Sequence, residues 1–415
     1  MVTDRLNESI QRQSHTMTLL PTGKVLVAGG NGPGGPLARS ELYDPNTGQW
    51  TTTGAMLDAR VEHTATLLPT GKVLVVGGPG QGFASAELYD PATGEWHATE
   101  SPLVGRAAHT ATLLASGQVL VVGGRAFMRP ETPVTSSAEL YDPTAGTWTP
   151  AAPMLTARAA HTATLLPSGA VLVAGGFDTN NTALAEAELY DPTAGMWRRT
   201  GSLLTSHDFH TATRLPSGRV LVVGGGPGGE PQPNTELFDP ESETWSDSGC
   251  TVEPRFGHTA TLLLSGQVLV ASGSAELYGI IVSPAQVSLA PGASQTFTAR
   301  GGSGFDYVWS FTQNNSGGTL TASGVYQAGP VGGVTDIVQV VDSFANSATA
   351  TVNVTKQASA LSPTSSQASS MGCGTTGGTA LPSLAGAVLV LLGWRALMRR
   401  RGARGNRLPN QQQGE

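Results

Sequence analysis

Six histidines, His15, His63, His109, His161, His210 and His258, recur at intervals of 48, 46, 52, 49 and 48 residues. Imidazole is the common metal ligand and proton carrier near neutral pH, so a site reading comes first to mind. The recurrence argues against it. A site is normally built once, whereas scaffold returns in every copy of a repeat, and a ring of equivalent positions is too wide for one ion. The histidines are therefore read as structural, with hydrogen bonds across the start of a strand that satisfy backbone groups. No metal and no cofactor is expected.

Three residues before each histidine stands Arg12, Arg60, Arg106, Arg158, His207 or Arg255. A matching set of acids, Glu41, Glu87, Glu139, Glu188, Glu236 and Glu276, opens a later strand of each copy. Two uses stay open. The arginines can pair with these glutamates. Alternatively Arg60, Arg106 and Arg158 can stand unpaired and offer an anion-binding mouth, since the guanidinium fork suits carboxylates and phosphates. Other catalytic patterns are missing: there is no Gly-x-Ser-x-Gly elbow, phosphate loop or His-Glu-x-x-His pair.

The elements that carry these residues are legible as a repeat. HTATLLPTGKVLVVGG from His63 returns from His109, His161 and His210, with varied copies from His15 and His258. After each Gly-Gly comes a variable loop and then a second block such as SELYDPNTGQW or AELYDPTAGTW. HTATLL reads as a short strand that ends in a Pro/Ser/Thr-Gly turn. KVLVVGG is a continuous apolar run, as expected of a strand buried on both faces. AELYD and the segment beginning at Trp form the third and fourth strands around an Asp-Pro turn. One such sheet cannot hide both faces alone, but sheets stacked around an axis can.

A strand closing on Gly-Gly, a Tyr some residues later and a Trp seven residues after that resembles the kelch repeat. Tyr43, Tyr89, Tyr141, Tyr190, Phe238 and Tyr278 hold the first aromatic position, and Trp50, Trp96, Trp148, Trp197 and Trp245 the second. The sixth copy has Ser272-Gly273 and no Trp. The resemblance implies an all-β fold, a six-bladed kelch-type β-propeller over residues 1–279 whose last blade is incomplete. Residues 2–11 are candidates for its outer strand.

From residue 280 the repeat ceases. Residues 280–355 alternate apolar and polar residues between Gly/Pro turns and resemble a bacterial immunoglobulin-like β-sandwich. Residues 356–379 are rich in Ser, Thr, Gly and Ala and read as a flexible linker. An apolar stretch at 380–398 is expected to be a transmembrane helix, and 399–415 a basic cytoplasmic tail that keeps residues 1–379 outside. Gly-Cys373-Gly, the apolar stretch and the Arg cluster resemble a myxobacterial C-terminal sorting tail, which implies processing at Cys373. The first 20 residues lack a basic stretch followed by an apolar run, so a start upstream of Met1 is expected. Cys250 and Cys373 lie in different segments and are not expected to pair.

The chain has 415 residues, 54 of them Gly, and a net charge of −7. Six Arg and one Glu lie from Arg395 onward, which leaves 17 basic and 29 acidic residues and a charge of −12 over residues 1–394. An acidic body excludes nucleic acid as a partner, because phosphate backbones need basic stripes. The expectation is an exported binding or adhesion protein, not an enzyme. It would recognise a protein or glycan at the cell surface through the loops after Gly-Gly, which differ freely between copies. Arg125, Phe127, Met128 and Arg129 are the best anchors there. The enzymatic alternative is similarity to galactose oxidase, another kelch propeller with an immunoglobulin-like domain. That family implies copper held by Tyr and His and a Tyr–Cys cross-link. Here Cys250 is beside no irregular Tyr, and no copper set is found.

Overall fold

The computed structural model describes residues 12–78, 84–125, 134–301, 306–342 and 347–356. Phe127, Met128, Arg129 and Cys373, the linker, the apolar stretch at 380–398, the basic tail and residues 2–11 lie outside the described residues. No helix among the described residues is long and apolar enough to cross a membrane. The chain divides into two compact units, the first of which holds the repeats up to Leu277 apart from 264–267.

In this unit each repeat folds as an antiparallel sheet. The second repeat runs Thr64–Leu67, Val73–Val76, Ala86–Asp90 and Glu95–Ala98, paired in sequence order. Among the described residues, five sheets have four such strands and the sixth has three. The inner strands of consecutive repeats lie side by side. The apolar second strand is buried on both faces for a visible reason. Val73 and Val75 pack with Leu26 and Ala28 of the first repeat, while Leu74 and Val76 pack with Val119 and Val121 of the third. Alternate residues of one strand thus feed two different cores. Each fully buried aliphatic side chain is worth about 1.5–3 kcal/mol.

The repeated aromatic pair is a cross-strand contact. Tyr89 faces Trp96 and Tyr141 faces Trp148 in register, with ring centroids 5.1 and 5.0 Å apart. The Trp indole then reaches the preceding repeat: Trp96 Nε1 donates to the Gly54 carbonyl at 3.0 Å and Trp197 to that of Ala152 at 2.8 Å. Between the third and fourth strands, the Asp of Asp-Pro holds the turn. Asp142 Oδ1 accepts from the Thr144 and Ala145 amides at 2.8 and 3.1 Å, the local trap that makes Asp a turn residue.

Gly-Gly is needed where sheets meet. Gly123 has φ +66°, and a Cβ there would lie 2.6 Å from both the Arg158 carbonyl and His161 Cε1 of the next repeat. The amide of its neighbour Gly124 donates to that same Arg158 carbonyl at 2.9 Å. Equivalent bonds run from Gly30, Gly78, Gly176 and Gly225.

The second unit, residues 278–391 with 264–267, is all-β over its described residues. Its largest sheet pairs Gln286–Leu289, Ser347–Val354, Val334–Val341 and Val308–Gln313 in that order, the first pair parallel. Phe297, Tyr326, Val338, Val340 and Val352 form its core. The carboxylate of buried Asp336 accepts from Tyr326 Oη at 2.7 Å and from the Asn315 and Ser316 amides at 2.7 and 2.8 Å.

Candidate binding site

The basic ring lies inside the walls. Arg60 is fully buried; its Nη2 donates to Glu87 at 2.8 Å and its Nη1 to the Gly77 carbonyl at 2.7 Å. Arg106 and Arg158 repeat this with Glu139 and Glu188, at 2.5 and 2.8 Å. Each glutamate also caps a connection between sheets, as when Glu87 accepts from the Leu57 and Asp58 amides. The anion-binding use of Arg60, Arg106 and Arg158 is therefore corrected to pairing within the repeat. Freeing one would leave a buried carboxylate uncompensated, at a cost of about 3–5 kcal/mol. In the fifth repeat His207 replaces the arginine. It meets Glu236 at 3.0 Å and the Gly224 carbonyl at 2.7 Å.

The repeated histidines tie one repeat to the next. His63 Nε2 lies 3.0 Å from Thr16 Oγ1, and His109, His161, His210 and His258 meet Thr64, Thr110, Thr162 and Thr211 at 2.8–2.9 Å. The partner of Nε2 is thus a side chain of the preceding inner strand, alongside the backbone contacts that His15, His63, His161 and His210 make with Arg12, Ala28, Arg158 and His207. Burial, and after it the neighbouring arginine, hold His63 and His161 down to about 3. The same causes hold His15 and His258 at about 4, and burial drives His109 and His210 well below their usual value. Among the described residues, no three His, Cys, Asp or Glu side chains are placed to hold a metal ion.

Immediately before each histidine the backbone turns left-handed. Ser14, Glu62, Ala108, Ala160, Phe209 and Gly257 have φ of 50–56°. That conformation costs a non-glycine residue roughly 1–2 kcal/mol. Here backbone bonds hold it. Glu62 N donates to Ser14 O, Ala108 N to Glu62 O, Ala160 N to Ala108 O, Phe209 N to Ala160 O and Gly257 N to Phe209 O, all at 2.9–3.3 Å. These six residues, with five of the histidines, line one cavity of about 310 Å³. Every repeat contributes to it, so the inner strands surround a common channel and this is its mouth.

The mouth is uneven. On one side Phe209 stacks at 5.9 Å on Phe177 and at 4.8 Å on Phe256. Arg125, the one loop anchor among the described residues, lies with its guanidinium 4.5 Å over the Phe177 ring. Its backbone is fixed by bridges to Ala107 and Val134. Glu62 projects into the channel, exposed to it yet walled by protein. Burial raises its pKa, and Arg125 partly offsets that through space. Beside Phe209, the Asp208 carboxyl is buried and pushed up to about 6 by desolvation.

A Kelch motif family matches residues 106–155. No curated protein matches the chain. Among solved structures, one described as "Structure of YjhT" is 18% identical, with a TM-score of 0.49, over 57% of this chain and 84% of that one. A fungal alcohol oxidase of the AA5 family in complex with copper is 16% identical, with a TM-score of 0.46, over 83% and 97%. Residues 106–155 carry a Kelch motif, and the sheets of the first unit, set inner strand beside inner strand, fit a β-propeller.

A second depression on this propeller, about 600 Å³, lies between the third and fourth sheets at the opposite end and includes Ser116, Ser168, Asp191 and Arg198. Its turn residues recur in other copies, so it is the outward-widening wedge of the architecture. The mouth differs in kind. Its six positions carry Ser, Glu, Ala, Ala, Phe and Gly inside an Arg-x-x-His frame that departs only at His207. Glu62, Phe177, Phe209 and Phe256 were missed in the sequence. The signal that could have found them is variation at one slot of a fixed motif. Chemically the mouth offers the Phe209 ring, methyl surface from Ala108 and Ala160, and the Glu62 carboxylate.

Proposed function

We propose that this chain is an exported, surface-retained binding protein whose propeller recognises a protein or glycan through the end that carries the channel mouth and the loops after Gly-Gly. The observation that carries this reading is one cavity lined by the slot that varies between copies, Ser14, Glu62, Ala108, Ala160, Phe209 and Gly257, while the repeated charged residues are consumed by the walls. Scaffold residues are shared between copies, and individuality belongs to the binding surface. The six sheets form a six-bladed ring in this reading, and residues 280–355 an immunoglobulin-like spacer. The apolar stretch at 380–398, with Cys373 before it, supplies retention at the cell surface.

Two measurements test it. Surface biotinylation and protease shaving of intact cells should reach residues 1–379. The purified chain, applied to glycan and surface-protein arrays, should bind at least one class of ligand. Stoichiometric copper uptake with oxidation of an alcohol or sugar would replace this reading with the oxidase-like one.

A further inference from the structure

Five aliphatic side chains stand in solvent at one equivalent position of the repeats. Leu57, Leu103, Leu155, Leu204 and Val252 each lie three residues before Arg60, Arg106, Arg158, His207 or Arg255. They are between 54% and 89% exposed. One bond fixes the place of each: its backbone amide donates to Glu87, Glu139, Glu188, Glu236 or Glu276 at 2.6–2.7 Å. Those glutamates stand at the start of the third strands, level with the start of the inner strands, since Val76 pairs with both Thr64 and Ala86. The five side chains therefore follow one another in an arc around the end that carries the mouth.

The fold uses only the amide at this position, which any residue but proline supplies. A repeated residue that is buried is scaffold, but a repeated aliphatic in solvent has no such duty. The residue after it is free to vary, as Asp58, Val104, Thr156, Thr205 and Glu253. Single exposed leucines are ordinary, whereas a set on one face marks a contact surface. A whole aliphatic side chain offers about 60–120 Å², so five at these exposures offer about 200–400 Å². That approaches the largest apolar patch of an ordinary monomer, roughly 300–600 Å².

Chemistry selects the partner. A glycan would press hydroxyls against side chains that cannot pair with them, and unmade hydrogen bonds are costly. A lipid surface favours an apolar face flanked by Lys and Arg. Here Glu62, Glu230 and Glu253 are the exposed charges beside the arc. Among the described residues, Arg39 and Arg199 at this end are paired with Glu41 and Glu186, and Arg125 lies over Phe177. A protein surface can present apolar hollows and basic groups together. We propose that the mouth end docks a partner protein with an apolar, basic surface, anchored by Leu57, Leu103, Leu155, Leu204 and Val252. This rests on the binding reading above and names the partner class of the same end.

The test uses the full chain and fluorescence anisotropy with three short labelled helical peptides, one of Leu and Lys, one of Leu and Glu and one of Ser and Lys. Vesicles of phosphatidylcholine and of phosphatidylglycerol serve as lipid probes. The Leu/Lys peptide should bind with a micromolar Kd, about tenfold or more tighter than either other peptide. Replacing Leu57, Leu103, Leu155 and Leu204 together with Ser should weaken it about tenfold or more. Met196→Ser, exposed at the opposite end, should leave it unchanged. Unchanged tryptophan fluorescence and thermal midpoint would show that the variants fold. Should the combined variant not fold, Leu57→Ser and Leu103→Ser singly should each weaken the peptide about twofold or more. No binding of the Leu/Lys peptide, affinity unchanged in folded variants, or equal binding of another peptide would overturn the proposal. Vesicle binding that the combined variant loses would overturn it too and assign the arc to lipid. On arrays, surface-protein ligands lost in the combined variant would support it. Glycan ligands alone, or protein ligands that the variant keeps, would overturn it and leave the broader reading in place. Absence of any array ligand for the wild-type chain would strike the broader reading, and this one with it.

Discussion

Acid should unfold the propeller steeply, and the repeated histidines set the size of the effect. His15, His63, His109, His161, His210 and His258 are all held below their ordinary value, four of them at about 3 or 4. The folded state keeps these rings neutral, whereas the unfolded chain binds protons near pH 6.5. Between those values the unfolded state carries more protons, so stability is complete above about pH 7 and falls as the pH drops. At pH 5 one such ring forgoes about 2 kcal/mol, and six acting together about 12 kcal/mol as an upper limit. That equals the whole stability of an ordinary domain, about 5–15 kcal/mol. Urea unfolding followed by tryptophan fluorescence at pH 7.5, 6.5, 5.5 and 5.0 reads the loss directly. The expected slope approaches about 8 kcal/mol per pH unit near pH 5. A flat profile from pH 7.5 to 5.0 would refute the reasoning. So would histidine resonances that titrate near 6.5 in the folded protein, because the Thr–His ties would then be solvated.

Three further substitutions probe other parts of the account. Asp208 has its pKa raised to about 6 by burial, so stability falls as the pH rises from about 4 to 6. Asp208→Asn should therefore stabilise at pH 7 by up to about 3 kcal/mol, with the gain fading below pH 4, as thermal midpoints will show. Gly123→Ala combines φ +66° with a Cβ set 2.6 Å from the Arg158 carbonyl; a loss of about 2–4 kcal/mol in urea unfolding is expected. Glu188→Ala leaves the buried Arg158 without its carboxylate and should cost about 3–5 kcal/mol. Its measured stability should recover in the double variant that also replaces Arg158 with Met.

Much of this was legible because repetition isolates its own exceptions. The His-Thr pair, the Gly-Gly step and the Tyr-x6-Trp pair each predicted a strand boundary, and the sheets begin and end at them. The missing Trp of the sixth copy matches its three-stranded sheet among the described residues. Pairing of Arg60 with Glu87 was one of two readings, and only the geometry could choose, because the two residues lie 27 positions apart. The mouth was not legible. Phe177, Phe209 and Phe256 come from three repeats and meet only once those repeats are set around one channel. The left-handed turn before each histidine carries no residue signature either, since backbone bonds to the neighbouring repeat hold it in place of glycine.

The most direct trial sets one end of the propeller against the other. The full chain, Phe209→Ala at the mouth and Arg198→Ala at the opposite wedge would be compared on the same glycan and surface-protein arrays. Loss of about tenfold or more in signal for Phe209→Ala, with Arg198→Ala unchanged, is the result expected here. Signal that survives Phe209→Ala and disappears with Arg198→Ala would contradict it.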